Sequence, residues 1–247
     1  MSLFGLIGYP LLHSWSEGFF NEKFSGESPV KNKYRVFPLK NIGEFPGLLQ
    51  DHPDLAGLNV TIPYKVKILP FLDELDPVAK ETGAVNTILI SRAGDRVHLK
   101  GFNTDVTGFT GSADFTGYSS ALLLGTGGAA RAVAYSLRHL GIPFQFVSRN
   151  PRQGVAIGYD EITGKEMEEN RLIINATPLG MFPDAGSCPP LPYEYLTPGH
   201  FLYDLVYNPP LTEFLRHGDR AGARIMNGMK MLHLQAESSW EIWNTQT

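Results

Sequence analysis

Cysteine is nearly missing from this 247-residue chain. Cys188, in "GSCPPLP", stands alone, so no internal disulfide can form, and it reads as a plain buried or loop thiol. The histidines, at 13, 52, 98, 139, 200, 217 and 233, include no pair with metal-ligand spacing. Metal and catalytic roles are therefore not expected of them. Charge is modest: 19% of residues are charged and the net charge is -4, which leaves no basic face of the kind that grips nucleic acid. No stretch nears the ~18 apolar residues of a membrane span. The opening "MSLFGLIGYPLLHS" lacks a basic start, and its apolar run breaks at Gly8 and Pro10, which speaks against a signal peptide. Repeats, low-complexity tracts and Ser/Gly-rich linkers are missing as well. What remains is an ordinary globular chain, expected in the cytoplasm, with neither nucleic acid nor membrane as partner. Its length suits one large domain or two modest ones. Whether it is a monomer or a homodimer is not legible.

Strand and helix patterns alternate along the chain. "LFGLIG" (3–8), "YRVFPL" (34–39), "GLNVTI" (57–62) and "AVNTILIS" (84–91) read as strands. Helices are expected near 14–24, 41–50 and 64–72, and "AGD" (93–95) as a hairpin turn into "RVHLKGFN". A second unit begins near residue 103. In "ALLLGTGGAARAVAYSLRHLG" (121–141), "ALLL" is a strand buried on both faces. Val133, Leu137 and Leu140 follow at helical spacing, and Gly141 caps the helix. "FQFVS" (144–148), "LIINAT" (172–177), "FLYDLVY" (201–207) and "ARIMNG" (223–228) supply further strands, and 229–243 a last helix.

The glycine loop between the first strand and helix of this second unit has the dinucleotide pattern, with Gly125, Gly127 and alanine at 130. Backbone amides at Gly127 and Gly128 can approach a pyrophosphate, and the helix start adds partial positive charge. NAD sites carry an acid about 20 residues on, to hold the ribose 2′-hydroxyl. Here the next strand ends "VSRNPR", with Ser148, Arg149 and Arg152 and no acid. A guanidinium can fork onto a 2′-phosphate, so NADP is favoured. A methyltransferase would also want an acid there.

The stretch "LNVTIPYK" (58–65) places Asn59 and Thr61 in alternation with Val60 and Ile62, as on a strand with one wet face, and ends in Lys65. Other polar groups cluster at expected element ends: Ser14 and Ser16, Asn86, Asn103 and Asp105, Asp204 and Tyr207, and Gln235 on the last helix. Each alone has a bland reading, as a helix cap, a surface glutamine or an exposed lysine.

Taken together they do not. "GYPLLHSWS", "NVTIPYK", "GAVNT", "GFNTD", "GTGGAARA", "INATPLGM", "YNPPLTEFL" and "GMKMLHLQAE" resemble, in order, the signature stretches of shikimate dehydrogenases, from residue 3 to about 243. That resemblance implies an α/β fold: an N-terminal mixed α/β substrate domain (1–102 and 229–247) and a Rossmann-like doubly wound NADP-binding domain (103–228), with a cleft between them. It implies NADPH-dependent, reversible reduction of 3-dehydroshikimate to shikimate, with Lys65 and Asp105 as the catalytic pair. Ser14, Ser16 and Tyr207 would hold the substrate carboxylate, and Thr61, Asn86 and Gln235 its ring hydroxyls. Gly125, Gly127, Gly128 and Ala129 would meet the pyrophosphate, Ser148 and Arg149 the adenosine 2′-phosphate side, and Thr177 and Gly228 the ribose and nicotinamide.

Three departures stand out. "Ser-Arg-Asn" at 148–150 replaces the usual "Asn-Arg-Thr"; the span from Arg149 to Leu172 is short for a full crossover; and Lys230 stands where a small residue is usual. A quinate/shikimate dehydrogenase of broader substrate and cofactor use, and a non-catalytic sensor on the same scaffold, are the alternatives; fold alone never proves catalysis.

Overall fold

Two sheets, each with its own core, organise the chain. The computed structural model describes residues 2–11, 14–27, 32–94 and 96–245. It divides into two units, Met1–Thr104 with Gln235–Thr247, and Asp105–Leu234.

The first unit runs β1 (Leu3–Gly8), α1 (Trp15–Glu27), β2 (Lys33–Pro38), α2 (Phe45–Asp51), β3 (Leu55–Val60), β4 (Glu74–Leu75), α3 (Pro77–Thr82), β5 (Thr87–Ala93) and β6 (Arg96–Phe102). The sheet order is β2-β1-β3-β5-β6-β4. β1 pairs in parallel with β2 and β3, and β5 in antiparallel fashion with β3 and β6. "LFGLIG" is buried at every position because the strand sits between two others with both faces covered. Ala93 pairs with Arg96, so the expected turn closes a two-residue hairpin with Gly94 at φ +59°. Asp95 lies outside the described residues.

Two expectations fail here. Strand β3 ends at Val60, short of Thr61 and Ile62. Pro63 has no N–H to extend a ladder, and the Tyr64 amide closes a turn onto the Thr61 carbonyl at 2.8 Å. Asn59 accordingly does not line a wet wall with Thr61; it is buried. Residues 64–72 form no α-helix. Pro70 removes one donor and crowds the preceding turn. The amides of Leu69, Phe71 and Leu72 instead bond three residues back, with a short 3₁₀ turn at Leu69–Phe71, while Tyr64 and Ile68 anchor the segment in the core.

The second unit runs α4 (Asp105–Ser112), β7 (Ala121–Leu124), α5 (Gly128–His139), β8 (Phe144–Val147), β9 (Ala156–Ile157), α6 (Gly164–Glu169), β10 (Leu172–Asn175), β11 (Phe201–Asp204), α7 (Glu213–Arg220), β12 (Arg224–Met226) and α8 (Met229–Asn244). Every pairing is parallel, in the order β12-β11-β10-β7-β8-β9. Renumbered within the unit, that is the 3-2-1-4-5-6 order of doubly wound dinucleotide folds, read from the opposite edge. Helix α5 ends as its glycine predicts: Gly141 has φ +71°, and Ile142 donates to Leu137 at 2.9 Å. The short span after Arg149 is abbreviated to a two-residue β9 and a six-residue α6. Helix α8 is split between the units: Met231 joins the core of Phe109 and Tyr203, while Ala236 and Trp243 join that of Phe4 and Phe20.

Two contacts shape the carboxyl ends of the second sheet. Asp204 is fully buried at the end of β11. Its carboxylate accepts Asn175 Nδ2 (2.9 Å) and the Val206 amide (3.0 Å) on Oδ1, and Thr212 Oγ1 (2.6 Å) on Oδ2. Burial pushes its pKa up to about 6, against these hydrogen bonds, which lower it. Gly228 opens into α8 so close to the end of β11 that a Cβ there would collide with the Leu205 carbonyl oxygen.

The Asp204 shift has a definite sign. A buried acid with a raised folded-state value favours the folded state when protonated, so this group's contribution falls as pH rises from about 4 to about 6. Asp204→Asn keeps an acceptor for Asn175 and Val206 but cannot ionise. Its stability relative to the unmodified protein should rise by about 2–3 kcal/mol across that window and stay level above it, read by urea unfolding at several pH values. Gly228→Ala should cost more than about 2 kcal/mol in the same assay, because the contact is with backbone and cannot be relieved by a rotamer change.

Candidate active site

In the first unit the chain brings three separated stretches together through backbone bonds. The Val85 amide donates to the Lys65 carbonyl at 2.7 Å, the Val60 amide to the Asn86 carbonyl at 2.8 Å, and the Asn86 amide to the Phe102 carbonyl at 3.1 Å. Lys65, half-buried, is thereby placed beside the segment that carries Asn86. The Asn86 side chain accepts the Thr104 amide at 2.7 Å and donates to Gln235 Oε1 at 3.3 Å, so two of the expected substrate residues touch. Thr61 is half-buried, with its amide donating to Ile7 at 2.9 Å. Ser14 immediately precedes α1 and Ser16 lies in its first turn; Ser16 hydrogen-bonds the Tyr34 phenol, whose pKa burial holds well above its ordinary value.

In the second unit Gly125 follows the carboxyl end of β7, Ser148 and Arg149 that of β8, Thr177 that of β10, Tyr207 that of β11 and Gly228 that of β12, and strand order reverses between β7 and β10. Gly125 follows β7 at φ +100°, and its Cα faces the Ala176 carbonyl and the Thr177 methyl, where a Cβ would come to 3.1 Å of both. Gly127 forms the N-cap of α5 with no side-chain cap, and no atom lies within 4 Å of where its Cβ would be. Gly128 and Ala129 are the first residues of the helix. The mouth of α5 is thus bare backbone, the condition for a pyrophosphate to approach. Thr177 is held by Asn175, its Oγ1 donating to Asn175 Oδ1 at 2.6 Å. The Ser148 amide donates to Ile157 at 2.9 Å, fixing the end of β8, and Arg149 next to it is exposed. Burial lifts the Tyr159 phenol to about 12, and the Arg149 charge opposes that rise. Asp105 is buried at the start of α4, directly after Thr104. Tyr207 is half-buried, and burial raises its phenol. Gly228 is packed on Leu205 as above, and Lys230 is exposed.

Several supporting groups escape a reading of sequence alone. Tyr34, Thr87, Thr104 and Ser239 are buried partners of Asn59 and Asn86, and Asn175 and Thr212 are partners of Asp204. The one available signal was a polar residue ending an apolar strand, as in "LIIN" and "FLYD". A cavity of about 670 Å³ lined by Tyr118, Lys165, Glu168 and Arg171 lies at the amino ends of β7 and β10. Among the described residues no helix is long and apolar enough to cross a membrane, and no three His, Cys, Asp or Glu side chains gather as metal ligands.

Known proteins match this arrangement. The family model of the shikimate dehydrogenase substrate binding domain matches residues 6–88. Shikimate dehydrogenase (NADP(+)) of Desulforamulus reducens is 37% identical over 97% of this chain and 88% of its own length. The structure of shikimate 5-dehydrogenase from Thermus thermophilus in complex with NADP(H) and shikimate superposes with a TM-score of 0.82 at 31% identity, covering 99% of this chain and 94% of that one. Quinate dehydrogenase from Corynebacterium glutamicum in complex with NAD reaches 0.83 at 28% identity, over 99% and 94%. With relatives this similar across nearly its whole length, the chain belongs to the shikimate dehydrogenase family.

Proposed function

We propose that this protein is a cytoplasmic NADP-dependent oxidoreductase that reduces 3-dehydroshikimate to shikimate, reversibly. The observation that carries the reading is the meeting of "NVTIPYK", "GAVNT" and "GFNTD" around the Val85–Lys65 bond, with Lys65 present and its backbone fixed.

NADPH, when bound, supplies the hydride that reduces the carbonyl carbon. The glycine-lined mouth of α5 fits its pyrophosphate, at Gly125, Gly127, Gly128 and Ala129, with Thr177 and Gly228 toward the ribose and nicotinamide. Ser148 and Arg149 receive the adenosine 2′-phosphate, and the lack of an acid at the end of β8 removes the repulsion a 2′-phosphate would meet. This favours NADP over NAD, and with it the shikimate reading over the quinate one.

The carbonyl oxygen gains negative charge as the carbon accepts hydride, and the resulting alkoxide takes one proton. Lys65 presents an ammonium to that oxygen and donates the proton; a charge that interacts more strongly with alkoxide than with ketone lowers the barrier. Asp105 orients the lysine. Ser14, Ser16 and Tyr207 bind the carboxylate, and Thr61, Asn86 and Gln235 the ring hydroxyls, so that the ketone is held in one pose. The domain of residues 1–102 and 229–247 carries substrate and that of 103–228 carries cofactor.

Lys65→Ala should lower kcat by about a thousandfold while shikimate affinity, read by calorimetry, changes less than about fivefold. Equal losses would make Lys65 a binding residue. Arg149→Ala should raise the KM for NADP about tenfold and leave that for NAD within about twofold, since only the former carries the phosphate. Unchanged constants for both would make Arg149 a bystander.

A further inference from the structure

Two loops, those that follow β10 and β11, meet at one buried oxygen atom. Asn175, Asp204 and Thr212 are fully buried, and all belong to the second unit. Asp204 Oδ1 accepts the Val206 amide at 3.0 Å and Asn175 Nδ2 at 2.9 Å, while Oδ2 takes the Thr212 hydroxyl. The two ends of an asparagine side chain are told apart by neighbours that can play only one role. Asn175 has two such neighbours. The Thr177 backbone amide can only donate, at 3.1 Å, so the atom it meets is Oδ1. The carboxylate oxygen at the other end already accepts Val206, so the atom facing it is Nδ2. Turned over, the side chain would set oxygen against oxygen and nitrogen against N–H. Asn175 therefore has a single orientation.

Thr177 takes its own orientation from it. The Thr177 hydroxyl donates to Asn175 Oδ1 at 2.6 Å and accepts the Leu179 amide at 3.3 Å. Asn175 Nδ2 also reaches the Leu179 carbonyl at 3.3 Å, which closes the loop on itself. With the hydroxyl held there, the Thr177 methyl is the group turned toward Gly125. That methyl and the Ala176 carbonyl form the surface on which Gly125 turns, for a Cβ on Gly125 would come to 3.1 Å of both. The Ala176 amide, bound to the Leu124 carbonyl at 2.9 Å, keeps this loop beside the end of β7. A continuous path of contacts thus runs from Asp204 through Asn175 and Thr177 to the glycine turn.

We propose that Asp204 is a positioning residue for the dinucleotide. Through Asn175 it fixes the Thr177 side chain that backs Gly125, and so the bare backbone that a pyrophosphate approaches. Being fully buried, it acts without touching the cofactor. The pyrophosphate is common to NAD and NADP, so the effect falls on both alike, whereas Arg149 acts on the 2′-phosphate alone. This rests on the cofactor half of the function proposed above. Removing the carboxylate leaves Asn175 Nδ2 with the 3.3 Å bond to Leu179 and takes an acceptor from the Val206 amide.

The test is calorimetric binding of NADP and of NAD, beside steady-state kinetics with shikimate. Asp204→Ala should raise the Kd for both dinucleotides about tenfold and leave the KM for shikimate within about twofold. Asp204→Asn offers an oxygen to Asn175 and Val206 and a nitrogen to the Thr212 hydroxyl, which can accept it. It should bind both dinucleotides within about twofold of the unmodified protein. Asn175→Ala should reproduce the loss, and adding Asp204→Ala to it should cost less than about twofold more, because the path to Gly125 is already cut. Should Asp204→Ala not fold, Asp204→Leu, which fills the space and accepts nothing, should show the same pattern. Unchanged Kd values, a loss confined to NADP, an equal loss in Asp204→Asn, a parallel rise in the KM for shikimate, or a full additional effect on Asn175→Ala would each overturn the proposal. Absence of dinucleotide binding by the unmodified protein would remove this proposal and the proposed function together. Binding without turnover of shikimate would remove the reaction alone.

Discussion

The Val85 amide bound to the Lys65 carbonyl at 2.7 Å is the contact on which the substrate half depends. Lys65 lies in a segment that is neither strand nor α-helix, where a proline has removed the regular alternatives. A lysine on such a segment has no ladder to fix it. One backbone bond supplies what regular structure does not, and it does so from the residue next to Asn86. Lys65 and Asn86 therefore share one piece of scaffold, and a shift of either moves both. The side chains that hold Asn86, those of Thr87, Thr104 and Gln235, are neutral, which spares that amide the cost of a buried charge beside it.

The second unit solves a related problem by different means. Its parallel strands deliver loops to one edge, and close approach is secured by glycine where a side chain would collide. Gly125 adopts a positive φ against Thr177, and Gly228 lies on the Leu205 carbonyl. Asp204 ties β10, β11 and α7 through a single buried carboxyl group. That group is costly when ionised, so what it contributes to tying these elements falls as pH rises.

Much of this was legible in advance. The alternation of strand and helix, the hairpin at 93–95, the glycine loop with its helix, and the abbreviated span after Arg149 follow from local chemistry: turn residues, apolar runs and helical spacing. The errors have local causes too. At 57–62 the alternation of polar and apolar residues ran on past the true strand end, because a period of two cannot sense that Pro63 closes the ladder. At 64–72 the apolar spacing suited a helix, and Pro70 overruled it. The supporting hydroxyls were illegible for a different reason. Nothing local marks Ser239 or Thr87 as buried partners of Asn59, since those contacts join residues 180 and 28 positions away in sequence. Such pairing is a property of the fold and not of any window along the chain.

The central claim is that a shikimate-sized hydroxy acid is oxidised, and its ketone reduced, with a phosphorylated dinucleotide. It is tested most directly by steady-state assay of the unmodified protein with shikimate and quinate, each against NADP and NAD. The account predicts the highest kcat/KM for shikimate with NADP, at least about tenfold above the value reached on changing either partner. No turnover of shikimate with either dinucleotide, or a clear preference for NAD, would contradict it.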